Sequence, residues 1–319
     1  MNVQNVGGYQ TGIDYLPAAG KNIFERENVN FNVEEATAEK VNEGAIKTAE
    51  QKTQDIKDAY AVMTSGVGAS KAASKNETIQ IWLNQLGFYS GKVDGNLYTT
   101  ASKKALKNFQ RVYGLAQTGQ ISNMVQDKLK AAISCYRTTA SKSDLGTITS
   151  MVSGYSDFKE SEIRDYFAKT WAFFRVGMGL TVRQASGVLG NIMAESGCVP
   201  DNAQDTGTNK KLHDKDYKFN VSDGRGYGLI QWTIQKRKQL LKDTSSQMGL
   251  SVSDINAQFA CFRKETERDD LTKSAWNKLK KTDLIDGATG IFLNEIEMPG
   301  NRNFSERYEK ATTIYSVMK

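Results

Sequence analysis

Glu195 stands in the segment GVLGNIMAESG, where an acidic residue follows a run of small and apolar ones. In a helix, Val188, Ile192 and Glu195 fall on one face because they are spaced by four and three residues. A carboxyl on an apolar face is either paired with a base or kept protonated, since desolvation disfavours its charged form. A protonated carboxyl can donate a proton to a reacting oxygen. The position therefore predicts Glu195 as a general acid.

The segment GRGYGLIQWT at residues 224–233 has the composition of a ligand-binding wall. Its glycines allow close approach of the backbone to a ligand, while aromatic rings and an amide offer stacking and hydrogen bonds. Such a surface suits a sugar chain. With the serine that follows the acid, the predicted substrate contacts are Ser196, Tyr227, Gly228, Gln231 and Trp232.

Cleavage of a glycosidic bond by water commonly needs a second carboxylate besides the acid. Asp201, Asp205 and Asp223 lie in a polar stretch between Glu195 and the wall segment. We predict Asp205 as the second catalytic carboxylate. The alternative for each of the three is an ordinary loop acid, and Asp201, next to Pro200, can also belong to a turn.

Two amphipathic helices are predicted to position this chemistry. Residues 161–176 carry apolar side chains at helical spacing, from Ile163 to Phe174. After a break at MGLT, Thr181 can cap the helix that leads to Glu195, and Gly197 can close it. The closing segment from Phe292 to Pro299, and Arg302, Arg307 and Tyr308 after it, is interpreted as packing.

Residues 76–134, which we call the middle module, show a separate pattern of three short helices. Ile79, Trp82, Leu83 and Leu86 share one face of the first helix, and Gly87 is placed to end it. The second helix contains ALKNFQRVYGL, and the third begins at VQDKL. The pattern predicts a small helical module in which Phe88, Tyr89, Asp94 and Tyr113 either join the core or line a groove for sugar or stem peptide.

Length and composition divide the chain further. We expect more than one domain in 319 residues. We assign residues 1–75 to an N-terminal arm with a helix and linker, and residues 76–135 to the middle module. Residues 136–157 are assigned to a Ser- and Thr-rich linker, and residues 158–319 to the domain that contains Glu195. The fold class expected is mainly α, with a helical or flexible arm at the N-terminus.

Charge and sequence patterns exclude several classes of protein. A formal charge of +6 is too small to indicate nucleic-acid binding, although residues 76–153 carry 9 basic and 4 acidic groups. That excess favours attraction to an anionic polymer or simply keeps the surface solvated. No membrane span and no standard secretion signal is predicted from the sequence.

The middle module resembles the peptidoglycan-binding three-helix domain of wall hydrolases through IWLNQLGFYSGKVDG, ALKNFQRVYGL and TGQIS. It departs from the family in NLYTTAS, which is one residue longer than the usual turn. The resemblance implies peptidoglycan as the partner.

The C-terminal part resembles the phage-tail lysozyme family, within the goose-type lysozyme and lytic transglycosylase group. The matching segments are GVLGNIMAESGCVP, GYGLIQWTIQKRKQLL and IFLNEIEMPGNRNFSERYEKA. The resemblance places Glu195, Ser196 and Gly197 at the family's catalytic Glu-Ser-Gly motif. It implies a muramidase that cleaves the β-1,4 bond between N-acetylmuramic acid and N-acetylglucosamine, with Glu195 protonating the leaving oxygen and with no metal or other cofactor.

Several alternatives stay open at this stage. A lytic transglycosylase would use the same acid without a second carboxylate, and a wall-binding structural protein could keep the fold without activity. A cysteine peptidase would need Cys198 beside His213, the sole histidine of the chain. A zinc amidase lacks the ligands that such a site requires.

Location and partners are expected to follow from the wall chemistry. The protein would act at the bacterial wall, outside the cell, in the periplasm or on a virion tail, by an export route that the sequence does not identify. Residues 1–63 are the candidate docking segment for a tail, baseplate or secretion-apparatus protein.

Overall fold

The structure is a computed structural model that describes residues 74–152, 159–204, 211–214, 216–268, 270–300 and 302–319. This part of the chain is mainly helical, which confirms the expected fold class. The N-terminal arm, its helix and its docking segment lie outside the described residues. Within the described ranges, no helix has the length and apolarity needed to cross a membrane.

Three helices form the middle module, as the sequence predicted. They are α1 (Lys75–Gln85), α2 (Thr100–Val112) and α3 (Asn123–Ala140). Ser74 and Glu77 make a capping box at the start of α1, and Gly87 follows its end with φ +81°. Leu83, Leu106, Phe109 and Leu129 are fully buried between the three helices.

The predicted linker 136–157 contains regular structure where it is described. Helix α3 continues through Ala140, and α4 (Leu145–Thr149) follows it. Leu145 and Ile148 of α4 are fully buried. Helix α4 packs against α5 (Glu160–Ala172), which continues as a π-helical segment over Phe173–Gly177.

The remaining helices build the C-terminal part around α6 (Val182–Glu195), which bears Glu195 at its end. A two-residue hairpin follows, with β1 (Ala203–Gln204) antiparallel to β2 (Lys211–Leu212). Then come α7 (Gln235–Met248), α8 (Ile255–Arg268), α9 (Asp270–Leu279), α10 (Ile285–Ile291), a π-helical segment (Phe292–Glu297) and α11 (Phe304–Met318). Helices α10 and α11 pack directly on α6.

The middle module packs on the C-terminal helices through hydrogen bonds as well as apolar contacts. Asn256 Nδ2 of α8 donates to Leu86 O at 3.0 Å, and Asn108 Nδ2 of α2 donates to Met248 O at 3.1 Å. Arg263 of α8 joins both parts, donating to Val112 O at 2.8 Å and to Gly177 O at 2.6 Å. The described residues from 74 onward accordingly form one compact unit.

Candidate active site

Helix α6 begins and ends as the sequence predicted. Thr181 Oγ1 accepts from the Gln184 N–H while the Gln184 side chain accepts from the Thr181 N–H, which completes a capping box. At the other end Gly197 has φ +63°, a conformation that glycine adopts at little cost. Val188 and Ile192 are fully buried, and Glu195 stands one turn further on, with 18% of its side chain exposed. The carboxyl is therefore sheltered but accessible.

Two glycines of α6 allow neighbouring helices to approach it closely. A Cβ at Gly187 would lie 2.7 Å from Ala288 Cβ and 2.8 Å from Thr289 N of α10. A Cβ at Gly190 would lie 2.5 Å from Arg307 O and 2.7 Å from Ala311 Cβ of α11. Such separations are shorter than van der Waals contact, so only glycine fits at either position. The close packing brings Arg307 of α11 beside the end of α6.

Glu195 lies in a cluster with Arg307 and Glu297, which we call the acid cluster. Arg307 Nη2 forms ion pairs with Glu195 Oε1 and, at 2.9 Å, with Glu297 Oε1. The side chains of Arg307 and Glu297 are only 5% and 3% exposed, so Glu195 is the member that reaches the surface. One guanidinium thus serves two carboxyls in a largely dry environment.

The pKa of Glu297 is raised to about 9, chiefly because the carboxyl is buried. The neighbouring Glu195 carboxyl raises it further, and Arg307 acts in the opposite direction. Glu297 is therefore protonated at neutral pH. Its Oε2 has no hydrogen-bond partner among the described residues.

The π-helical segment that ends at Glu297 determines where this side chain points. A π turn contains an extra residue relative to an α turn and moves the buried face along by one position. Phe292, Leu293 and Ile296 are buried, and Glu297 follows them into the interior, whereas Glu295 points outward to Lys278. Met298 then turns the chain with φ +51°.

The predicted wall segment forms a closed turn beside α6. Tyr227 and Trp232 exchange backbone hydrogen bonds at 3.2 and 2.9 Å, and Gly228 takes φ +76° between them. The Cβ absent at Gly228 would lie 2.6 Å from Gln258 Oε1. Ser196 Oγ donates to Leu229 O at 2.7 Å and so ties this turn to the residue after the acid.

The aromatic residues of this turn support it from within. Tyr227 is fully buried, with its hydroxyl donating to Asp214 at 2.5 Å. Trp232 is 1% exposed and donates through Nε1 to Glu265, which in turn pairs with Arg237. Ser196 is also buried. Stacking or hydrogen bonding of these side chains on a sugar would require the turn to move.

Gln231 is the predicted wall residue whose side chain stays partly accessible. It has φ +50°, and its Nε2 donates to Asn202 O at 3.2 Å and to Gly228 O at 2.9 Å. Gln231 is consequently the predicted wall residue best placed to meet a ligand, whereas Gly228 is buried, with its N–H donating to Asn202 O and its carbonyl accepting from Gln231.

The three candidate second carboxylates differ in what the structure describes of them. Asp201 accepts from His213 Nδ1 at 2.9 Å. Asp223 accepts from the buried Lys238 and from the Tyr217 hydroxyl, each at 2.6 Å. Burial raises the pKa of Asp223, but these hydrogen bonds outweigh it and lower the pKa overall. Asp205 lies outside the described residues.

The cysteine-peptidase hypothesis meets a physical obstacle at Cys198. The thiol is fully buried, and burial raises its pKa to about 12, so the nucleophilic thiolate is disfavoured. The imidazole of His213 is hydrogen-bonded to Asp201.

The aromatic residues of the middle module that are candidates for ligand binding lie in its core. The ring centroids of Phe88 and Tyr113 lie 5.5 and 4.6 Å from that of Phe109. Tyr89 is 6% exposed and donates to Lys92 O at 2.7 Å. Asp94 instead holds the following turn, accepting from Gln80 Nε2 at 3.0 Å and from Asn96 N at 2.8 Å. Of the two uses predicted for Phe88, Tyr89 and Tyr113, their burial favours packing.

Arg307 and Glu297 are the site residues that sequence reasoning missed. Arg307 was interpreted as packing, although it is the ion-pair partner of Glu195. A signal was present in the glycine spacing of α6, since Gly187 and Gly190 indicate close packing of another element against the acid-bearing helix.

Two protein-family models match the chain. Residues 166–318 match the family model described as phage tail lysozyme, and residues 74–129 match the model described as a putative peptidoglycan binding domain. The comparisons with curated proteins and with solved structures gave no match.

The sheltered carboxyl at the end of α6 lies within the residues that match the phage tail lysozyme model, and the three-helix module precedes it. The chain carries a phage tail lysozyme domain preceded by a peptidoglycan-binding domain, and the two matches confirm the predicted order. The two domains support a peptidoglycan-cleaving enzyme, either a glycosidase or a transglycosylase, with peptidoglycan as its partner. They also suggest a location outside the cell, in the periplasm or on a virion.

Proposed function

We propose that the protein is a muramidase that cleaves the β-1,4 bond between N-acetylmuramic acid and N-acetylglucosamine, with Glu195 as general acid. The observation that supports this most is the position of Glu195 at the end of α6, 18% exposed and beside the buried Arg307 and Glu297. A reacting sugar can reach this carboxyl, while its neighbours remain shielded from water.

In the proposed reaction, Glu195 protonates the bridging oxygen as the bond to the anomeric carbon breaks. The oxygen keeps the electron pair of that bond. A water molecule then adds to the anomeric carbon and releases a proton, which restores the acid. Asp205 remains our candidate to assist the water. Gln231 is the proposed contact of the sugar chain, and the side chains of Ser196, Tyr227 and Trp232 hold the turn that presents it.

A lytic transglycosylase is the second candidate function. It would use the same Glu195 but would let the muramic acid's own hydroxyl attack in place of water. Two of the three candidate aspartates have partners that occupy them, since Asp201 is hydrogen-bonded to His213 and Asp223 to Lys238. This observation favours a mechanism with one acid.

Replacement of the acid tests the proposal. Glu195→Gln should reduce release of soluble muropeptides from purified peptidoglycan by at least about a hundredfold, since proton transfer by a positioned acid contributes roughly 10²–10⁴-fold. Binding to the insoluble wall should persist. Glu295→Gln is the matched control, because Glu295 is a surface carboxyl paired with Lys278. Full activity in Glu195→Gln would refute the role of the acid.

Mass spectrometry of the products distinguishes the two reactions. Reducing N-acetylmuramic ends would support hydrolysis, and 1,6-anhydro ends would support transglycosylation. A wild-type protein that binds walls and releases neither product would be a structural wall-binding protein. Docking of residues 1–63 to a tail, baseplate or secretion-apparatus protein also remains a proposal.

A further inference from the structure

The acid cluster contains two carboxyls and one cation with little access to water. Arg307 contacts both carboxyls through the same nitrogen, and Glu297 also lies within hydrogen-bonding reach of Glu195. Ionising both carboxyls would leave one uncompensated negative charge in this environment, which is costly. The pair therefore retains one proton, and the three side chains together are neutral.

From this geometry we infer that Glu297 holds the proton that Glu195 delivers to the glycosidic oxygen, and that Arg307 stabilises whichever carboxyl is ionised. Glu297 is thus a positioning residue that acts through Glu195 and does not touch the sugar itself. The inference rests on the proposed role of Glu195 and goes beyond it, because it explains how an acid in contact with an arginine can still deliver a proton.

That difficulty is specific to this site. A guanidinium in contact with a carboxyl favours the carboxylate, and a carboxylate cannot serve as a general acid. A proton shared with Glu297 resolves the conflict. When the proton moves to Glu195, the charge passes to Glu297, which lies 2.9 Å from Arg307 Nη2. Until the proton leaves for the sugar, one carboxylate stays next to one guanidinium.

The proton balance of one turnover follows from this arrangement. The shared proton leaves through Glu195 to the bridging oxygen as the glycosidic bond breaks. Both carboxyls are then ionised beside a single cation. The attacking water, or the sugar hydroxyl in a transglycosylase, gives up a proton as it bonds to the anomeric carbon, and that proton returns to the pair. No further reactant is needed.

Other charged groups near Glu297 have partners of their own. Arg237 of α7 donates to Ile296 O at 3.1 Å, but its charge is compensated by Glu265. Glu295, on the same π-helical segment, pairs with Lys278 of α9. The charged groups that act most strongly on the Glu297 carboxyl are Glu195 of α6 and Arg307 of α11. The titration of Glu297 is therefore governed by the acid cluster.

The pH dependence of activity in Glu297→Gln is the test. Glutamine keeps the size of the side chain but cannot give up a proton, so Glu195 must take its proton from solvent against the pull of Arg307. We expect activity at neutral pH to fall at least about tenfold and the alkaline limb of the pH–activity profile to move to lower pH, with activity recovering in mildly acidic buffer. Glu295→Gln should keep the wild-type profile.

A purely structural Glu297 would give a different result. Activity would then fall by the same factor at every pH, or not at all, and either outcome would overturn the inference. If Glu297→Gln does not fold, carboxyl ¹³C NMR of the unmodified full-length protein provides the test. One glutamate that titrates far above the ordinary range supports the inference, and glutamates that all titrate in the ordinary range refute it. Because this readout does not involve activity, it separates the inference from the proposed function.

Discussion

Gly190 of α6 lies against the backbone of Arg307 in α11, so closely that a Cβ on the glycine would stand 2.5 Å from the Arg307 carbonyl oxygen. The two residues are far apart in sequence, and their contact sets the distance between the acid-bearing helix and the helix that supplies the arginine. The reach of the Arg307 side chain to Glu195 depends on this separation.

Gly190→Ala should therefore destabilise the protein and lower its activity. In an exposed helix the same substitution would stabilise by about 1 kcal/mol, but overpacking against a backbone carbonyl costs about 1–3 kcal/mol. We expect a net decrease in the free energy of unfolding by chemical denaturation, together with a lower rate of muropeptide release. Gly300→Ala is the control, because a Cβ there would meet nothing within 4 Å. Equal stability of the two variants would contradict the packing argument.

Arg307→Gln should lower the free energy of unfolding by more than the loss of a surface arginine would. Arg307 is 5% exposed, and removing one partner of a buried ion pair typically costs about 3–5 kcal/mol. Protonation of the carboxylate that remains in the pair offsets part of that cost at low pH, so the loss of unfolding free energy should grow as pH rises. Denaturation at several pH values measures this trend. Arg302 is an exposed residue just before the start of α11, and Arg302→Gln should show no such trend.

The end of α6 could be predicted from sequence because its signals are local. Apolar periodicity places Glu195, the Thr181 cap starts the helix, and Gly197 ends it. The partners of Glu195 could not be predicted in this way, since Arg307 is 112 positions away and no pattern links the two. Glu297 was hidden by the π-helical segment, which breaks the helical spacing used to judge which residues face inward.

Aromatic residues near the site show a second limit of prediction from the sequence. An aromatic ring in a glycine-rich segment fits a sugar-binding wall and a packed turn equally well at the level of residue type. Tyr227 and Trp232 are buried because their polar atoms find partners inside, at Asp214 and Glu265. Those partners come from elsewhere in the fold, so the sequence pattern could not distinguish the two uses.

The stability of the protein should depend on pH through Glu297. Its folded pKa of about 9 lies above the ordinary value of 4.5, so between these values the folded protein holds a proton that the unfolded chain releases. The stabilisation is fully present below about pH 4.5 and is lost as pH rises through about 9. The difference in unfolding free energy between wild type and Glu297→Gln should shrink or reverse over this window. Parallel curves for the two proteins would exclude a raised pKa for Glu297.

Binding to the wall should depend on salt through a basic cleft between α2 and the end of α7. The cleft has a volume of about 690 Å³, and Lys103, Lys104, Lys107 and Arg111 line its α2 side. Arg111 donates to the neutral amides of Gln117 and Gln247 at 3.0 and 3.1 Å, which add no negative charge to the cleft. A cleft of one sign attracts the opposite charge, and added salt screens that attraction.

Replacing both Lys103 and Lys107 by Gln in the full-length protein should weaken co-sedimentation with anionic walls several-fold at low ionic strength. The difference from wild type should disappear at high salt, because screening removes the contribution that the two lysines make. The double variant Lys273→Gln, Lys281→Gln has the same net charge and changes two exposed lysines away from the cleft, so it separates local from overall charge. If both double variants lose the same amount of binding, net charge and not the cleft accounts for the attraction.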